Sequence, residues 1–148
     1  MIKSSKFLIL SFFIIAIFFS SFSQQRPNII WIYAEDTSPW MGCYGDEINK
    51  GYTPNIDSIA NSGVMFNRAY VTAPVCSASR SAIIVGQSAI RFGGHQHRSS
   101  RTKNTRIYLP ENYKLLPEIM QDNGYTTFNH GKNDYNFYYD MKKVYNHK

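Results

Sequence analysis

The first strong hydrophobic signal is a run over residues 7–19, apolar throughout except at Ser11. Lys3 and Lys6 precede it, and Ser21-Phe22-Ser23 follows with small residues at signal-peptidase spacing. The run is shorter than the roughly 20 residues a membrane-spanning helix needs. Residues 1–23 are therefore expected to be a signal peptide, the only segment to meet a membrane. Export to the periplasm or the medium follows, and such compartments permit disulfides.

Beyond that segment, short apolar runs alternate with stretches at helical spacing. Residues 28–34 (Asn-Ile-Ile-Trp-Ile-Tyr-Ala) are nearly continuous in apolar and β-branched character, the pattern of a strand covered on both faces in a parallel sheet. Residues 64–71 and 125–129 predict two more strands. Thr53-Pro54 predicts a helix start, with Thr53 as N-cap and proline at the first position. Ile56, Ile59 and Ala60 then share a face, and Gly63 ends the helix. A second helix is predicted over 77–85, stopped by Gly86. A third over 115–123 presents Leu115, Leu116, Ile119 and Met120 and is closed by Gly124. Residues 87–114 are polar and basic with little periodicity, as expected of a long surface excursion. The alternation predicts an α/β fold, mainly a parallel sheet flanked by helices, over a single domain from residue 24 to 148. Functional groups in such sheets gather beyond the C-terminal strand ends, where Glu35, Asp36, His130 and Lys132 fall.

Composition narrows the classes. Hydrophobic residues at 43% and aromatics at 16% exclude a disordered tail, a coiled coil and a collagen-like repeat. Two cysteines exclude a disulfide-dense scaffold. The formal net charge is +6, but Lys3 and Lys6 lie in the signal segment. What remains is an ordinary solubility margin, and no nucleic-acid partner is expected.

Four clusters carry possible chemistry. Glu35 and Asp36 are adjacent acids that repel unless a cation or proton lies between them; calcium or magnesium takes such ligands. Solvated turn acids or a helix cap are the alternatives. Cys76-Ser77-Ala78-Ser79-Arg80 sets a cysteine at a helix start with an arginine one turn on. Both features favour an anion there and a lowered thiol pKa. A structural Cys43–Cys76 disulfide is the alternative. Lys132, two residues after His130, either adds positive charge to the same edge or is a plain loop lysine. His95 and His97 either bind a metal or anion or are surface residues.

In chain order, these segments resemble the N-terminal part of a formylglycine-dependent sulfatase of the alkaline-phosphatase-like superfamily. The carrying residues are Arg26-Pro27-Asn28-Ile29-Ile30, then Glu35-Asp36 with Gly42-Cys43-Tyr44-Gly45, then Thr53-Pro54-Asn55-Ile56-Asp57. The pentapeptide from Cys76 to Arg80 fits the signature Cys-x-Pro/Ala-Ser-Arg, and Gly131-Lys132 follows Gly124-Tyr125-Thr126-Thr127 as in the family. The resemblance implies that a formylglycine-generating maturase oxidises Cys76. The hydrated aldehyde would then attack the sulfur of a sulfate ester, with a glycan as the expected substrate. It implies catalytic roles for Cys76, Arg80 and Lys132, substrate contacts from Lys132 and His95, and a calcium-like ion held by Glu35, Asp36 and Cys76. Most relatives have Asp where this chain has Glu35, and often His where it has Asp134. Family members run to several hundred residues, so the resemblance implies a truncated catalytic domain over 24–148 with little activity of its own. Two competing readings are a phosphodiesterase or phosphonate hydrolase of the same superfamily, and a secreted non-catalytic module held by a Cys43–Cys76 disulfide.

Overall fold

Four α-helices and three short 3-10 turns form among residues 26–147, the part of the chain this computed structural model describes. The expected signal peptide over residues 1–23 lies outside the described residues. No helix among those described is long and apolar enough to cross a membrane. The chain divides into two compact units, Met1–Ala34 and Glu35–Lys148.

In the first unit, the described residues 26–34 carry no regular secondary structure. The rings of Trp31 and Tyr33 stack with centroids 4.9 Å apart, an i,i+2 contact that extended backbone favours. Ile30 is 85% exposed.

In the second unit, helix α1 (Pro54–Ser62) starts where Thr53-Pro54 predicts. Thr53 does not cap it through its side chain. Its hydroxyl instead donates to Asp57 Oδ1 (3.1 Å) and accepts from the Gly42 backbone N–H (3.0 Å). Asp57 Oδ1 also accepts from the Cys43 N–H at 2.7 Å. The first turn of α1 thus fastens the 3-10 turn Gly42–Tyr44. Any Cβ at Gly42 would lie 2.6 Å from Asp57 Oδ2 and would push that carboxylate off its contacts. The acid of the Thr-Pro-Asn-Ile-Asp segment is a structural anchor.

Helix α2 (Cys76–Val85) ends at Gly86, whose φ of 70° is left-handed and suits glycine. Its buried face has two parts. Ala78 and Ala82 pack with Ala73 and Ala89, small residues that let the backbone of the following loop approach closely. Ile84 and Val85 join Leu115, Tyr135, Phe137, Val144 and Tyr145 in the larger core. Helix α3 (Leu116–Asp122) starts with Glu118 accepting the Leu115 N–H at 2.7 Å. The residues after 130 supply most of the aromatic core, ending in the short helix α4 (Met141–Val144) that periodicity did not predict. The Tyr135 and Tyr145 hydroxyls meet at 2.6 Å, which satisfies two buried polar groups.

The expected parallel sheet is absent among the described residues. One isolated parallel bridge joins Phe128 to His147, and neither 28–34 nor 64–71 is a strand. The physical reason is that a ladder satisfies its backbone between segments, and no described segment pairs with these two. Val64 and Tyr70 are 81% and 88% exposed. Helices bond within themselves, and all three predicted ones form. The surface excursion over 87–114 holds two 3-10 turns, Arg98–Ser100 and Lys103–Thr105, and turns Gly94 inward.

Candidate active site

Cys76 is the first residue of α2, at the end where unpaired N–H groups leave partial positive charge. Arg80 follows one turn later. Its Nη2 donates to Glu35 Oε2 at 2.5 Å and its Nη1 to the Lys132 carbonyl at 2.9 Å. The Lys132 ammonium bonds to the other oxygen of Glu35 and lies 3.5 Å from Asp134. Asp134 accepts from Arg98 Nε at 2.5 Å. The chain of alternating charge therefore runs Arg80, Glu35, Lys132, Asp134, Arg98, drawn from four distant stretches of sequence.

These contacts set the protonation states. The Lys132 and Arg80 hydrogen bonds hold the Glu35 carboxyl below the usual carboxylate range. The Glu35 contact raises the Lys132 ammonium, and the nearby Cys76 and Asp134 add to the shift. Burial pushes Asp134 up, but hydrogen bonds from Cys76 and Arg98 and the charges of Arg98 and Lys132 outweigh it, leaving Asp134 lowered.

His97 completes the ring around Cys76. Its Nε2 stands 3.6 Å from Cys76 Sγ. The Ser99 backbone N–H donates to Nδ1 at 3.1 Å. An N–H can only donate, so in the neutral imidazole the hydrogen sits on Nε2 and faces Cys76. Cys76, His97 and Asp134 bring their ligand atoms within 4.8 Å of one another. His95, the histidine singled out by resemblance, is exposed and stands outside this trio. The His-x-His spacing in one polar loop gave no means of choosing between the two.

Two serines hold the ring together. Ser77 and Ser81 are fully buried on one face of α2, one turn apart. Ser77 Oγ accepts the Arg98 N–H at 2.9 Å. Ser81 Oγ accepts the Asn136 N–H at 2.7 Å and donates to the Ser77 carbonyl at 2.6 Å. One helix face thereby seats both the His97–Arg98 turn and the Asp134–Asn136 segment beside Cys76. The available signal was the i,i+4 repeat of small polar residues on a helix face otherwise made of Ala78, Ala82, Ile84 and Val85.

Both cysteines are free, so the alternative Cys43–Cys76 disulfide is not formed. Glu35, one of the expected metal ligands, lies between two cations. Both its oxygens take cationic side chains, because its extra methylene over aspartate lets it reach Arg80 and Lys132. Asp36 is exposed, with a left-handed φ of 50°. A hard divalent ion takes six to eight oxygens. Asp36 offers one carboxylate, and the Cys76–His97–Asp134 trio is mixed sulfur, nitrogen and oxygen. The described residues do not by themselves compose a calcium site.

A sequence model described as Sulfatase matches residues 27–148. The chain belongs to the sulfatase family. Membership carries the family's α/β fold, and family members generally pair a formylglycine with a divalent metal. The chain is 33% identical to an ulvan-active sulfatase of Formosa agariphila over 119 residues, 76% of this chain and 20% of that protein. It is 36% identical to arylsulfatase D of Homo sapiens over 106 residues, 69% of this chain and 18% of that protein. It is 33% identical to N-acetylgalactosamine-6-sulfatase of Sus scrofa over 112 residues, 71% and 21% respectively. The chain thus spans about a fifth of the length of these relatives. No solved structure matches it. Within the sulfatase match lie the signature cysteine, Arg80 and Lys132, and also His97, Asp134, Ser77 and Ser81.

Proposed function

We propose that this chain carries the nucleophile-bearing part of a sulfuric ester hydrolase, residues 24–148, exported behind a signal peptide at 1–23. The observation that carries the proposal is Cys76 at the first turn of α2, ringed by Arg80, Lys132, His97 and Asp134. Conversion of Cys76 to formylglycine by a maturase would supply a hydrated aldehyde able to attack sulfur. The remaining roles belong to this chain's own groups. Lys132 has three ammonium hydrogens; Glu35 takes one and Asp134 attracts another, so one remains for a sulfate oxygen. Charge gathers on those oxygens in the transition state, where a fixed cation is worth most. Arg80 holds Glu35 and the Lys132 carbonyl and so fixes the ammonium's approach. The side chain at position 76 sits between an acceptor, the Asp134 carboxylate, and a donor, His97 Nε2–H. The acceptor holds a hydroxyl proton on one side while the donor supports oxygen charge on the other. Asp36 and the side chain at position 76 would offer ligands to the family's divalent ion, whose shell needs more oxygens than the described residues supply.

A phosphodiesterase would use similar cations, but the relatives' names favour sulfate esters, among them those of glycans. The test is calorimetric binding of 4-nitrophenyl sulfate to the chain and to Lys132→Ala. At least tenfold weaker binding by the variant is expected. Equal binding contradicts the proposal.

A further inference from the structure

A cavity of about 460 Å³ opens beside this ring, walled by residues 98–107 and 135–139. Its charge is one-sided. Arg98, Arg101, Lys103 and Arg106 line it and no acid does. Among the described residues only Arg98 of these four pairs with a carboxylate, that of Asp134. Three cations thus face the same space without a neutralising partner, which favours an anionic occupant.

Two further groups point the same way. Arg101 Nε and Asn136 Oδ1 are buried without a hydrogen-bond partner, and both residues line the cavity. Arg101 spends Nη2 on the Gly93 carbonyl at 2.5 Å. Asn136 spends Nδ2 on the carbonyls of Gly94 (3.2 Å) and Gln96 (2.5 Å). An idle donor and an idle acceptor in one recess are costly unless something polar answers them. The wall also offers an aromatic face. Tyr138 lies under the Arg106 guanidinium at 5.7 Å and beside Tyr108 at 5.5 Å, held by its N–H to the Ile107 carbonyl at 2.8 Å.

We infer that this cavity is a second subsite, for a neighbouring sugar that itself bears an acid group, sulfate or carboxylate. The inference rests on the sulfatase proposal and narrows its substrate to acidic oligosaccharides. The acid group pairs with Arg101, Lys103 and Arg106, a sugar hydroxyl donates to Asn136 Oδ1, and the apolar sugar face lies on Tyr138. Arg98 joins the two subsites: its backbone N–H is held by Ser77, its guanidinium by Asp134, and its neighbour His97 faces Cys76.

The test is calorimetry on the full chain with a heparin-derived tetrasaccharide, its desulfated form, its carboxyl-reduced form, and a thymidine oligonucleotide of similar charge. A Lys103→Ala/Arg106→Ala double variant removes two exposed cations; Arg106→Lys is the conservative control. The double variant is expected to bind the tetrasaccharide at least tenfold more weakly, with Arg106→Lys within threefold of the parent. Binding of 4-nitrophenyl sulfate, which has one anion, should be unchanged in the double variant. At least one stripped tetrasaccharide should lose tenfold, which names the acid group. Unchanged tetrasaccharide binding by the double variant overturns the subsite, as does an oligonucleotide that binds as tightly. The sulfatase proposal fails separately, through the Lys132→Ala result.

Discussion

Helix α2 and the run over residues 28–34 are both short and rich in apolar residues, yet they end differently. In α2 the buried face is covered: Ala78 is fully buried, and Ile84 and Val85 are each 7% exposed. In the run, Ile29, Ile30 and Ile32 are 62%, 85% and 81% exposed. A helix closes its own backbone hydrogen bonds and needs neighbours on one face only. A parallel strand needs partners at both edges and cover on both faces. The lesson is that an apolar run states a demand for burial, while its spacing tells whether the demand can be met locally.

Substitutions in the two regions sharpen that contrast. The largest effect is expected at Ile84, where Ile84→Ala should cost about 2–4 kcal/mol by opening a cavity in the main core. Urea denaturation of the chain measures it. Next comes Ser81→Ala, which orphans the buried Asn136 N–H and should cost about 1–3 kcal/mol. Because Ser81 seats the Asp134–Asn136 segment, this variant should also weaken 4-nitrophenyl sulfate binding, which Ile84→Ala should not do beyond its effect on folding.

The charged ring predicts a pH signature smaller than either. Glu35 is lowered from 4.5, so its contribution to stability is full above that value and is lost as pH falls from 4.5 toward its folded value. Lys132 is raised from 10.5, so its contribution is full below that value and is lost as pH climbs beyond it. The urea midpoint should therefore be insensitive to this pair across neutral pH. Glu35→Gln should remove part of the acid-side loss; an unchanged acid limb would show that the pair does not contribute. The smallest effect is expected at Ile30, where Ile30→Ala should stay within about 0.5 kcal/mol, as at other exposed positions. A loss as large as that of Ile84→Ala would abolish the contrast between the regions.

Much of this architecture was legible in the residues. Pro54, Gly86 and Gly124 mark helix boundaries through fixed local geometry, and all three predicted helices formed within two residues of their expected ends. The strands were not legible in the same sense, because pairing is a property of two segments. The site was half legible. Cys76, Arg80 and Lys132 stand in one signature and one short motif, and the fold brings them together through Glu35. The partners of Cys76 were hidden. His97 and Asp134 are seated beside it by Ser77 and Ser81, which bind backbone 21 and 55 positions away, and no local pattern encodes that. The two cations that meet Glu35 were equally hidden, because they lie 45 and 97 residues away.

The central claim is that Cys76 is the precursor of the nucleophile. The direct measurement is the mass of the proteolytic peptide containing residue 76, from the chain produced together with a formylglycine-generating maturase. The expected result is the mass decrease of thiol-to-aldehyde conversion, trapped as a hydrazone, and its absence in Cys76→Ala. A peptide that keeps its thiol mass throughout, or that is cross-linked to the Cys43 peptide, would contradict it.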